Sequence, residues 1–393
     1  MPIHETKNSP KIRFGAGAVG EIGEEARRLA AQRALVVTDN GIVQAGHADK
    51  VTELLQQAGC QATCFTDVVE NPTTATVDAC VQAARDSGAQ LLIGLGGGSS
   101  LDTAKGCNFL LTNGGRMQDS WGYGKATKPM LPLIAVPTTA GTGSECQSYA
   151  LICDAQTHQK MACGDPKALP ATAILDPELT LTQPHFVTAC TGIDALAHAI
   201  ESAVTLRRTP FSSIYSREAF RLLQENLTNV LTDPGNLHAR GQVLLGAAYA
   251  GIAIENSMLG CAHSAANPLT ARYGTVHGNA VGLLLPHAMR YNAEEPGALA
   301  IYAQLASESR LANRNDSERT AFEALHARVQ ELLAAVDLPL NLDALGVPAA
   351  DISELATEAA TQWTAQFNPR SIDTEGFENL YEAAHGAACS PAA

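Results

Sequence analysis

The most informative segment of the chain reads AQLLIGLGGGSS, from Ala89 to Ser100. Its first half is a short apolar run bounded by glycine, which predicts a strand buried on both faces. Three consecutive glycines, Gly96 to Gly98, follow the strand and precede a helix that is predicted to begin near Leu101. A buried strand that turns tightly into a helix is typical of a parallel sheet covered by helices.

The same alternation extends in both directions from this segment. Short β-branched runs separated by helical stretches predict a parallel sheet with helices on both faces. The other predicted strands are residues 34–38, 61–66, 131–136 and 171–175, and a helix is predicted for residues 48–58. After about Gln183 the strand signals fade, and long Ala- and Leu-rich segments with helical period take over. We therefore expect a Rossmann-like α/β domain, residues 1–183, followed by an all-α domain, residues 184–393.

Composition and charge narrow the class of protein. The chain has 393 residues, too many for one ordinary core, and its 46% apolar and 17% charged residues are typical of a globular protein. A net charge of -14 without a dense basic run disfavours nucleic acid and membrane surfaces as partners, while an anionic small substrate stays open. The 10 cysteines include no Cys-x-x-Cys pair, and the chain shows no leader pattern. We therefore expect reduced thiols and a cytoplasmic location.

The glycine turn is a candidate phosphate site. Glycines let a backbone approach a ligand closely, and the free amides and dipole of the following helix attract a diphosphate. The spacing departs from the usual dinucleotide fingerprint, because Ser99 stands where the third glycine should fall. A tight turn that binds nothing is the alternative interpretation.

Asp39 directly follows the first predicted strand, at the carboxyl edge of the sheet. A carboxylate there can hold a ribose through its hydroxyls and repel a 2′-phosphate, which favours NAD over NADP. The alternative is that Asp39 only caps a helix or a turn.

A second polar loop follows the strand that ends at Val136. It reads PTTAGTGSE, from Pro137 to Glu145, and offers hydroxyls, amides and small side chains in quick succession. Such a loop can wrap a phosphate or a nicotinamide without steric obstruction. Two loops of this kind at neighbouring strand ends predict that residues 1–183 form a dinucleotide-binding domain.

A candidate metal site lies in the helical half. Asp194 and His198 are four residues apart in a strong helix-forming segment, which places both side chains on one helix face. Further along, His263 and His277 flank a segment that contains Gly and Pro. One carboxylate and three imidazoles suit Fe(II) or Zn(II) and do not decide between them. His287, which follows Pro286, is a candidate partner that orients these ligands.

Two other chemistries lack their motifs. The loop around Ser144 lacks the first and last glycines of a Gly-x-Ser-x-Gly nucleophile elbow. The glycine-rich turn lacks the Gly-Lys-Ser/Thr of a Walker loop. Hydride transfer is the chemistry that the sequence favours.

With these motifs, the sequence resembles the iron-containing, group III alcohol dehydrogenases, which include lactaldehyde reductases and propanediol dehydrogenases. The resemblance covers essentially the whole chain. Its most specific motifs are Gly96–Ser99 with Asp102 and Lys105, residues 137–145, residues 192–201, and residues 260–292, which end in LPHAMRYN. It implies an N-terminal dinucleotide-binding domain, a C-terminal helical domain with the active site in the cleft between them, and frequent homodimers or larger homo-oligomers.

The resemblance also implies site residues. The implied metal ligands are Asp194, His198, His263 and His277. The predicted cofactor-binding residues are Asp39, Asn71, Gly96, Gly97, Gly98, Ser99, Asp102, Thr138, Thr139, Thr142 and Lys160. Lys160 is similar to a family lysine that reaches toward the nicotinamide ribose.

One position departs from the family pattern. Many relatives carry a histidine four residues after the third ligand, where this chain has Asn267. An amide donates and accepts hydrogen bonds but does not titrate near neutral pH, so a proton relay here would use water, the cofactor ribose or another side chain. The candidate catalytic residues are His263, His277 and Asn267.

The sequence therefore predicts a metal-dependent enzyme that transfers a hydride between NAD and a small primary or secondary alcohol or aldehyde. Alternatives from other classes are an NAD- and metal-dependent carbon-oxygen lyase of the sugar-phosphate cyclase type, a metal-free reductase and a noncatalytic NAD-binding protein. Accumulation of NADH with an alcohol would argue against the lyase, while metal analysis and a turnover assay would test the other two.

Overall fold

The computed structural model describes residues 3–157 and 159–386. Within them the chain forms two compact units, one from Asn8 to Gln183 and the other from Pro184 onward. Residues 3–7 group with the second unit, where the backbone N–H of Lys7 donates to Oδ1 of Asn256. The sequence-based division had placed these first residues in the N-terminal domain. Residues 387–393 of the predicted C-terminal domain lie outside the described part of the chain.

The strands of the described residues all lie in the first unit. They are β1 (Lys11–Phe14), β2 (Arg33–Val37), β3 (Gln61–Phe65), β4 (Leu91–Gly96), β5 (Gly122–Tyr123), β6 (Leu133–Pro137), β7 (Tyr149–Cys153), β8 (Lys160–Gly164) and β9 (Thr172–Leu175). Six of them form a sheet in the order β1-β9-β6-β4-β2-β3, and every neighbouring pair is parallel. This arrangement confirms the predicted parallel sheet.

The helices of the described residues lie in both units. The first unit contains α1 (Ile22–Arg28), α2 (Asn40–Gln44), α3 (His47–Gln57), α4 (Thr74–Asp86) and α5 (Gly98–Asn113). The second unit contains α6 (His185–Val204), α7 (Pro210–Thr232), α8 (Leu237–Glu255), α9 (Cys261–Tyr273), α10 (His277–Asn292), α11 (Pro296–Glu308), α12 (Glu318–Ala334), α13 (Ile352–Ala360) and α14 (Thr374–Ala384). The predicted fold class, α/β followed by all-α, is confirmed.

Side chains of the central strands belong to two separate apolar cores. Leu35 and Leu92 belong to one core cluster, and Val36 and Ile93 belong to another. Because successive side chains of a strand point to opposite faces, the sheet is a middle layer with apolar packing on both sides. This is why the strand segments read as continuous apolar runs.

The direction of strand addition reverses between β2 and β4. β3 lies on one side of β2 and β4 lies on the other. In open α/β sheets, ligands bind outside the carboxyl ends of the strands at such a switch point. Asp39 follows β2, and the glycine turn follows β4. The sheet thus places both predicted cofactor elements at the same edge.

Two details differ from the sequence-based expectations. α5 begins at Gly98 instead of near Leu101, because weak helix formers are tolerated in a first turn whose amides lack intrahelical acceptors. A second sheet, in the order β5-β8-β7, was not predicted. Its strands are short and partly exposed, so their apolar pattern is weak.

The second unit is built around α6, which packs against α7, α8 and α10. α9 ends at Tyr273, where Gly274 takes a left-handed φ of +64°. The chain then turns directly into α10, so α9 and α10 form a helical hairpin. Among the described residues, no helix is long and apolar enough to cross a membrane.

Candidate functional site

The glycine turn is built as a helix N-terminus. β4 ends at Gly96, Gly97 caps α5, and Gly98 is the first helical residue. Gly96 has a φ of +142°, and a Cβ there would lie 2.5 Å from Oγ of Ser100, so a side chain does not fit. The N–H of Ser100 donates to the carbonyl oxygen of Gly97 at 3.1 Å, so the amides of Gly98 and Ser99, which precede any intrahelical acceptor, are the ones available to an anion.

The two polar loops of the first unit meet at the glycine turn. The backbone N–H of Thr138 donates to the carbonyl oxygen of Gly96 at 3.0 Å. A Cβ built on Gly98 would lie 2.8 Å from the side chain of Thr142. A Cβ built on Gly97 would lie 3.3 Å from the side chain of Thr139. The structure therefore brings the predicted threonines and glycines together.

A buried lysine holds the second loop in place. Nζ of Lys105 donates to the carbonyl oxygen of Ser144 at 2.6 Å, to its Oγ at 2.7 Å, and to the carbonyl oxygen of Tyr149 at 2.8 Å. Asp102 accepts from Oγ of Ser144 at 2.6 Å and from the N–H of Leu151 at 3.1 Å. Both carboxylate oxygens of Asp102 are thus engaged inside the unit. We expect Asp102 to influence a bound cofactor by fixing this loop.

Glu145, the last residue of the second loop, is a buried carboxyl that the sequence analysis did not select. It is 2% exposed. Burial raises the pKa of Glu145 to about 7, although the positive charge of Lys105 acts in the opposite direction. The loop therefore contains a carboxyl that titrates near neutral pH.

Asp39 caps a helix and also faces the glycine turn. Its Oδ1 accepts from the N–H groups of Gly41 at 2.8 Å and Ile42 at 3.1 Å, at the start of α2. Its Oδ2 lies 3.5 Å from a Cβ built on Gly96. The two interpretations of Asp39 are therefore compatible, because one oxygen caps the helix while the other lies beside the switch point.

Two buried hydroxyls at these strand ends lack a hydrogen-bond partner among the described residues. They are Oγ1 of Thr38, which follows β2, and Oγ of Ser100, in the first turn of α5. A buried polar group without a partner lowers the stability of the fold by about 1–3 kcal/mol, so such groups are rare in native proteins. These two hydroxyls, beside the glycine turn, are groups that the polar atoms of a dinucleotide could pair with.

Asn71 and Lys160 also lie together in the first unit. Nζ of Lys160, the first residue of β8, donates to Oδ1 of Asn71 at 3.4 Å. Asn71 has a φ of +50°, and its turn is anchored because the N–H of Cys153 donates to the carbonyl oxygen of Pro72 at 2.8 Å. Two predicted cofactor residues that are distant in sequence are thus in contact.

In the second unit, the four predicted metal ligands converge on one atom. Asp194 and His198 lie on α6, His263 lies on α9, and His277 is the first residue of α10. Oδ1 of Asp194 is 3.4 Å from Nε2 of His198, 3.4 Å from Nε2 of His263 and 3.9 Å from Nε2 of His277. The ligand atoms of Asp194, His263 and His277 all lie within 4.8 Å of one another.

These separations fit a divalent ion. Ligand atoms held about 2.1 Å from an ion in a tetrahedral arrangement stand about 3.4 Å apart. Oδ1 of Asp194 and Nε2 of His263 are buried without a hydrogen-bond partner among the described residues, although they face each other. Burial by itself raises the pKa of Asp194, but the three surrounding imidazoles outweigh it and hold the pKa below its usual range. The residues present therefore suit Fe(II) or Zn(II).

A carboxylate that pairs with one of the predicted ligands belongs to Glu201, which the sequence analysis did not select. It lies on α6, is 3% exposed, and pairs through Oε2 with Nδ1 of His263 at 2.5 Å. Burial lowers the pKa of His263, but the carboxylates of Glu201 and Asp194 outweigh this and raise it to about 9. His287 does not fill this role, because ten residues of α10 place it about 15 Å along the axis from His277.

Asn267 lies one turn after His263 on α9 and therefore on the same helix face. Its Nδ2 donates to Oε1 of Gln362 at 3.0 Å. The side chain is half-buried and lies close, in sequence and in space, to the predicted metal ligand His263. Its predicted part in catalysis stays a prediction.

Comparisons with known proteins cover both halves of the chain. The family model described as iron-containing alcohol dehydrogenase matches residues 9–177, and the model for the C-terminal part of the Fe-containing alcohol dehydrogenase family matches residues 188–385. Lactaldehyde reductase from Escherichia coli (strain K12) is 35% identical over 94% of this chain and 97% of its own length.

Solved structures show the same relationship. A crystal structure of 1,3-propanediol oxidoreductase has a TM-score of 0.94 at 30% identity and covers 98% of this chain and 100% of that one. Sulfoacetaldehyde reductase from Bifidobacterium kashiwanohense, in complex with NAD+, has a TM-score of 0.89 at 26% identity, with 99% and 100% covered. The similarity thus extends through both units.

Proposed function

The chain belongs to the iron-containing alcohol dehydrogenase family, as its sequence motifs predicted, and we propose that it transfers a hydride between NAD and a small primary or secondary alcohol or aldehyde. The observation that carries this proposal is the convergence of three imidazoles on Oδ1 of Asp194. The carbon-oxygen lyase alternative is not favoured, since both halves of the chain match alcohol dehydrogenases.

When bound, a divalent ion supplies Lewis-acid polarisation of a substrate oxygen, and NAD supplies the hydride acceptor. Asp194 offsets part of the positive charge at the site, and its side chain and those of His198 and His263 are at most 7% exposed, which keeps bulk water away. The side chain of His277 is 28% exposed, so the cluster opens on that side. We propose that substrate approaches from there.

For NAD, we propose that the first amides of α5 and the threonines of the second loop bind the diphosphate and the groups next to it. Asp39 would accept hydrogen bonds from a ribose through Oδ2, because its Oδ1 is already occupied by backbone donors. Lys160 and Asn71 would act as a pair through their mutual hydrogen bond. Asp102 and Lys105 would keep the second loop in its binding conformation.

The proposal includes several finer assignments. Residues 1–183 would bind the nucleotide and residues 184–393 the metal, with Fe(II) as the metal and Zn(II) as a substitute that the same donor atoms accept. Asn267 would take part through hydrogen bonds of its neutral amide. A cytoplasmic location and a homodimer or larger homo-oligomer, as predicted from the sequence, complete the proposal.

The substrate is proposed to be a small alcohol or aldehyde. Relatives are named for lactaldehyde, for 1,3-propanediol and for methanol. Short hydroxyaldehydes, diols and simple alcohols are therefore the first compounds to assay.

The test is a turnover assay with NAD and this panel, run under anaerobic conditions with Fe(II) and, separately, with Zn(II). We expect NADH to accumulate with at least one short alcohol. His263→Ala should lose metal-dependent turnover, whereas His238→Ala, at an exposed position on α8, should retain it. Turnover of a substrate without net NADH formation would support the lyase, and an active His263→Ala would remove that residue from the site.

A further inference from the structure

Glu201 shares α6 with two of the proposed metal ligands. It follows Asp194 by seven residues and His198 by three, so the three side chains lie along one face of the helix. Glu201 is 3% exposed, which is unusual for a carboxylate unless its oxygens are bonded.

Both oxygens of this carboxylate are bonded to α9. Oε1 accepts from the backbone N–H of Ala262 at 2.7 Å, in the first turn of the helix. Oε2 pairs with Nδ1 of His263 at 2.5 Å. One side chain from α6 therefore fixes both the start of α9 and the ring of the ligand that α9 carries.

We propose that Glu201 is a positioning residue for the metal centre, which holds the His263 ring so that its Nε2 faces Oδ1 of Asp194. This inference rests on the proposed metal site. Glu201 is not itself placed among the ligands, because both of its oxygens are used by α9.

The physical reason lies in the two nitrogens of imidazole. A neutral ring that donates its Nδ1–H to a carboxylate keeps a lone pair on Nε2, which is the form that binds a metal. Nε2 of His263 lies 3.4 Å from Oδ1 of Asp194, the separation that ligands of one ion require. Glu201 thus sets the tautomer and the direction of the ring at the same time.

The packing around the carboxylate leaves it little freedom. A Cβ built on Gly260 would lie 3.2 Å from Oε1 of Glu201 and 2.7 Å from Oδ1 of Asn368. The glycine therefore lets two side-chain oxygens approach the first turn of α9 together. Asn368 accepts there from the N–H of Cys261 at 3.1 Å.

Asn368 provides the matched control, because it anchors the same helix start without touching an imidazole. If Glu201 only capped α9, the loss of either side chain would have similar consequences. If Glu201 orients His263, only its replacement would change the metal site.

Glu201→Gln is the sharpest variant, since it keeps the shape of the side chain. Its amide oxygen can still accept from Ala262, but its NH2 group would then face Nδ1 of His263 and donate to it. The ring proton is thereby moved to Nε2, the nitrogen that should bind the metal. Metal binding would have to reverse this arrangement.

The experiment uses the full chain, stripped of metal with a chelator and titrated with Co(II) under anaerobic conditions. The dissociation constant comes from chelator competition, and the visible absorption of Co(II) reports the ligand geometry. We expect Glu201→Gln to bind Co(II) about 10- to 100-fold more weakly than wild type, with altered absorption bands. Asn368→Ala should stay within a small factor of wild type, even if its melting temperature falls further.

Equal Co(II) affinity and spectra in wild type and Glu201→Gln would overturn the inference while leaving the metal site intact. Equal weakening in both variants, without a spectral change, would trace the effect to a disturbed start of α9 instead of the His263 ring, and would also overturn the inference. A wild-type chain that binds no Co(II) would overturn the metal site and this inference together. If Asn368→Ala folds poorly, the Co(II) affinity and spectrum of Glu201→Gln, compared with those of wild type, still test the inference.

Discussion

A Cβ added at Gly278 would stand 2.0 Å from the carbonyl oxygen of Cys190. Cys190 lies on α6 one turn before Asp194, and Gly278 directly follows His277 at the start of α10. The absence of a side chain lets the two backbones approach closely enough for His277 to reach Asp194. The geometry of the proposed metal site thus depends on a residue that has no donor atom in its side chain.

Replacement of Gly278 by Ala should therefore damage the site without touching a ligand. The new methyl group would force α10 away from α6 by about 1 Å, at a cost of about 3 kcal/mol in the free energy of unfolding. We expect Co(II) affinity, measured by chelator competition, to fall about tenfold or more. Gly297→Ala on α11 is the control, because its Cβ would meet its nearest atom at 3.7 Å. Wild-type metal affinity in Gly278→Ala would contradict this account of the helix contact.

Asp39→Asn tests the choice of cofactor. An asparagine keeps the helix cap but removes the negative charge that should repel a 2′-phosphate. The ratio of kcat/KM with NAD to kcat/KM with NADP should fall by about tenfold or more, which corresponds to about 1.4 kcal/mol. Asp86→Asn removes an exposed charge elsewhere in the same unit and should leave the ratio unchanged. If Asp39→Asn also leaves the NAD-to-NADP ratio unchanged, Asp39 does not contact the ribose.

Lys105→Met tests the support of the second loop. The variant leaves Asp102 buried without its cationic neighbour at 3.7 Å, and it removes two hydrogen bonds to Ser144 of the loop and one to Tyr149 of β7. The free energy of unfolding should fall by about 3 kcal/mol, and calorimetry should show weaker binding of NAD. Lys50→Met, in which the replaced side chain is 45% exposed, should change neither quantity by much. Unchanged NAD affinity would show that the loop keeps its shape without the lysine.

Glu145 should make stability depend on pH. Its pKa is about 7 in the folded chain and 4.5 ordinarily, so the folded state holds the proton more tightly. The free energy of unfolding should therefore fall as pH rises from about 4.5 to about 7, by about 3 kcal/mol in the limit. Glu145→Gln should remove this dependence, and Glu178→Gln, at a side chain 42% exposed, should not. Denaturant unfolding at pH 5 and pH 8 measures the effect, and parallel curves for Glu145→Gln and wild type would refute it.

The sequence predicted those parts of the fold that have a strong local pattern. β2, β4 and β6 are apolar on both faces, so their runs are continuous and easily recognised. β5 has only two residues, and β7 and β8 are partly exposed, so the second sheet depends on pairing between distant segments. Such pairing leaves little trace in a local pattern.

The same distinction holds for the site. The proximity of Asp194 and His198 was predictable because their spacing places both side chains on one face of a single helix. The roles of Glu201 and Gly278 arise only where α6 meets α9 and α10, and Gly278 has no local signal beyond its type. For Glu201 the available signal was its spacing, seven residues after Asp194 and three after His198, which places it on the same helix face.

The central claim is that one divalent ion is held by Asp194, His198, His263 and His277. Anomalous diffraction from crystals grown with Fe(II) or Zn(II), recorded at the absorption edge of the metal, tests it most directly. The account predicts a single peak about 2.1 Å from Oδ1 of Asp194 and from the three Nε2 atoms. A metal-loaded crystal whose peak lies away from these four side chains would contradict it.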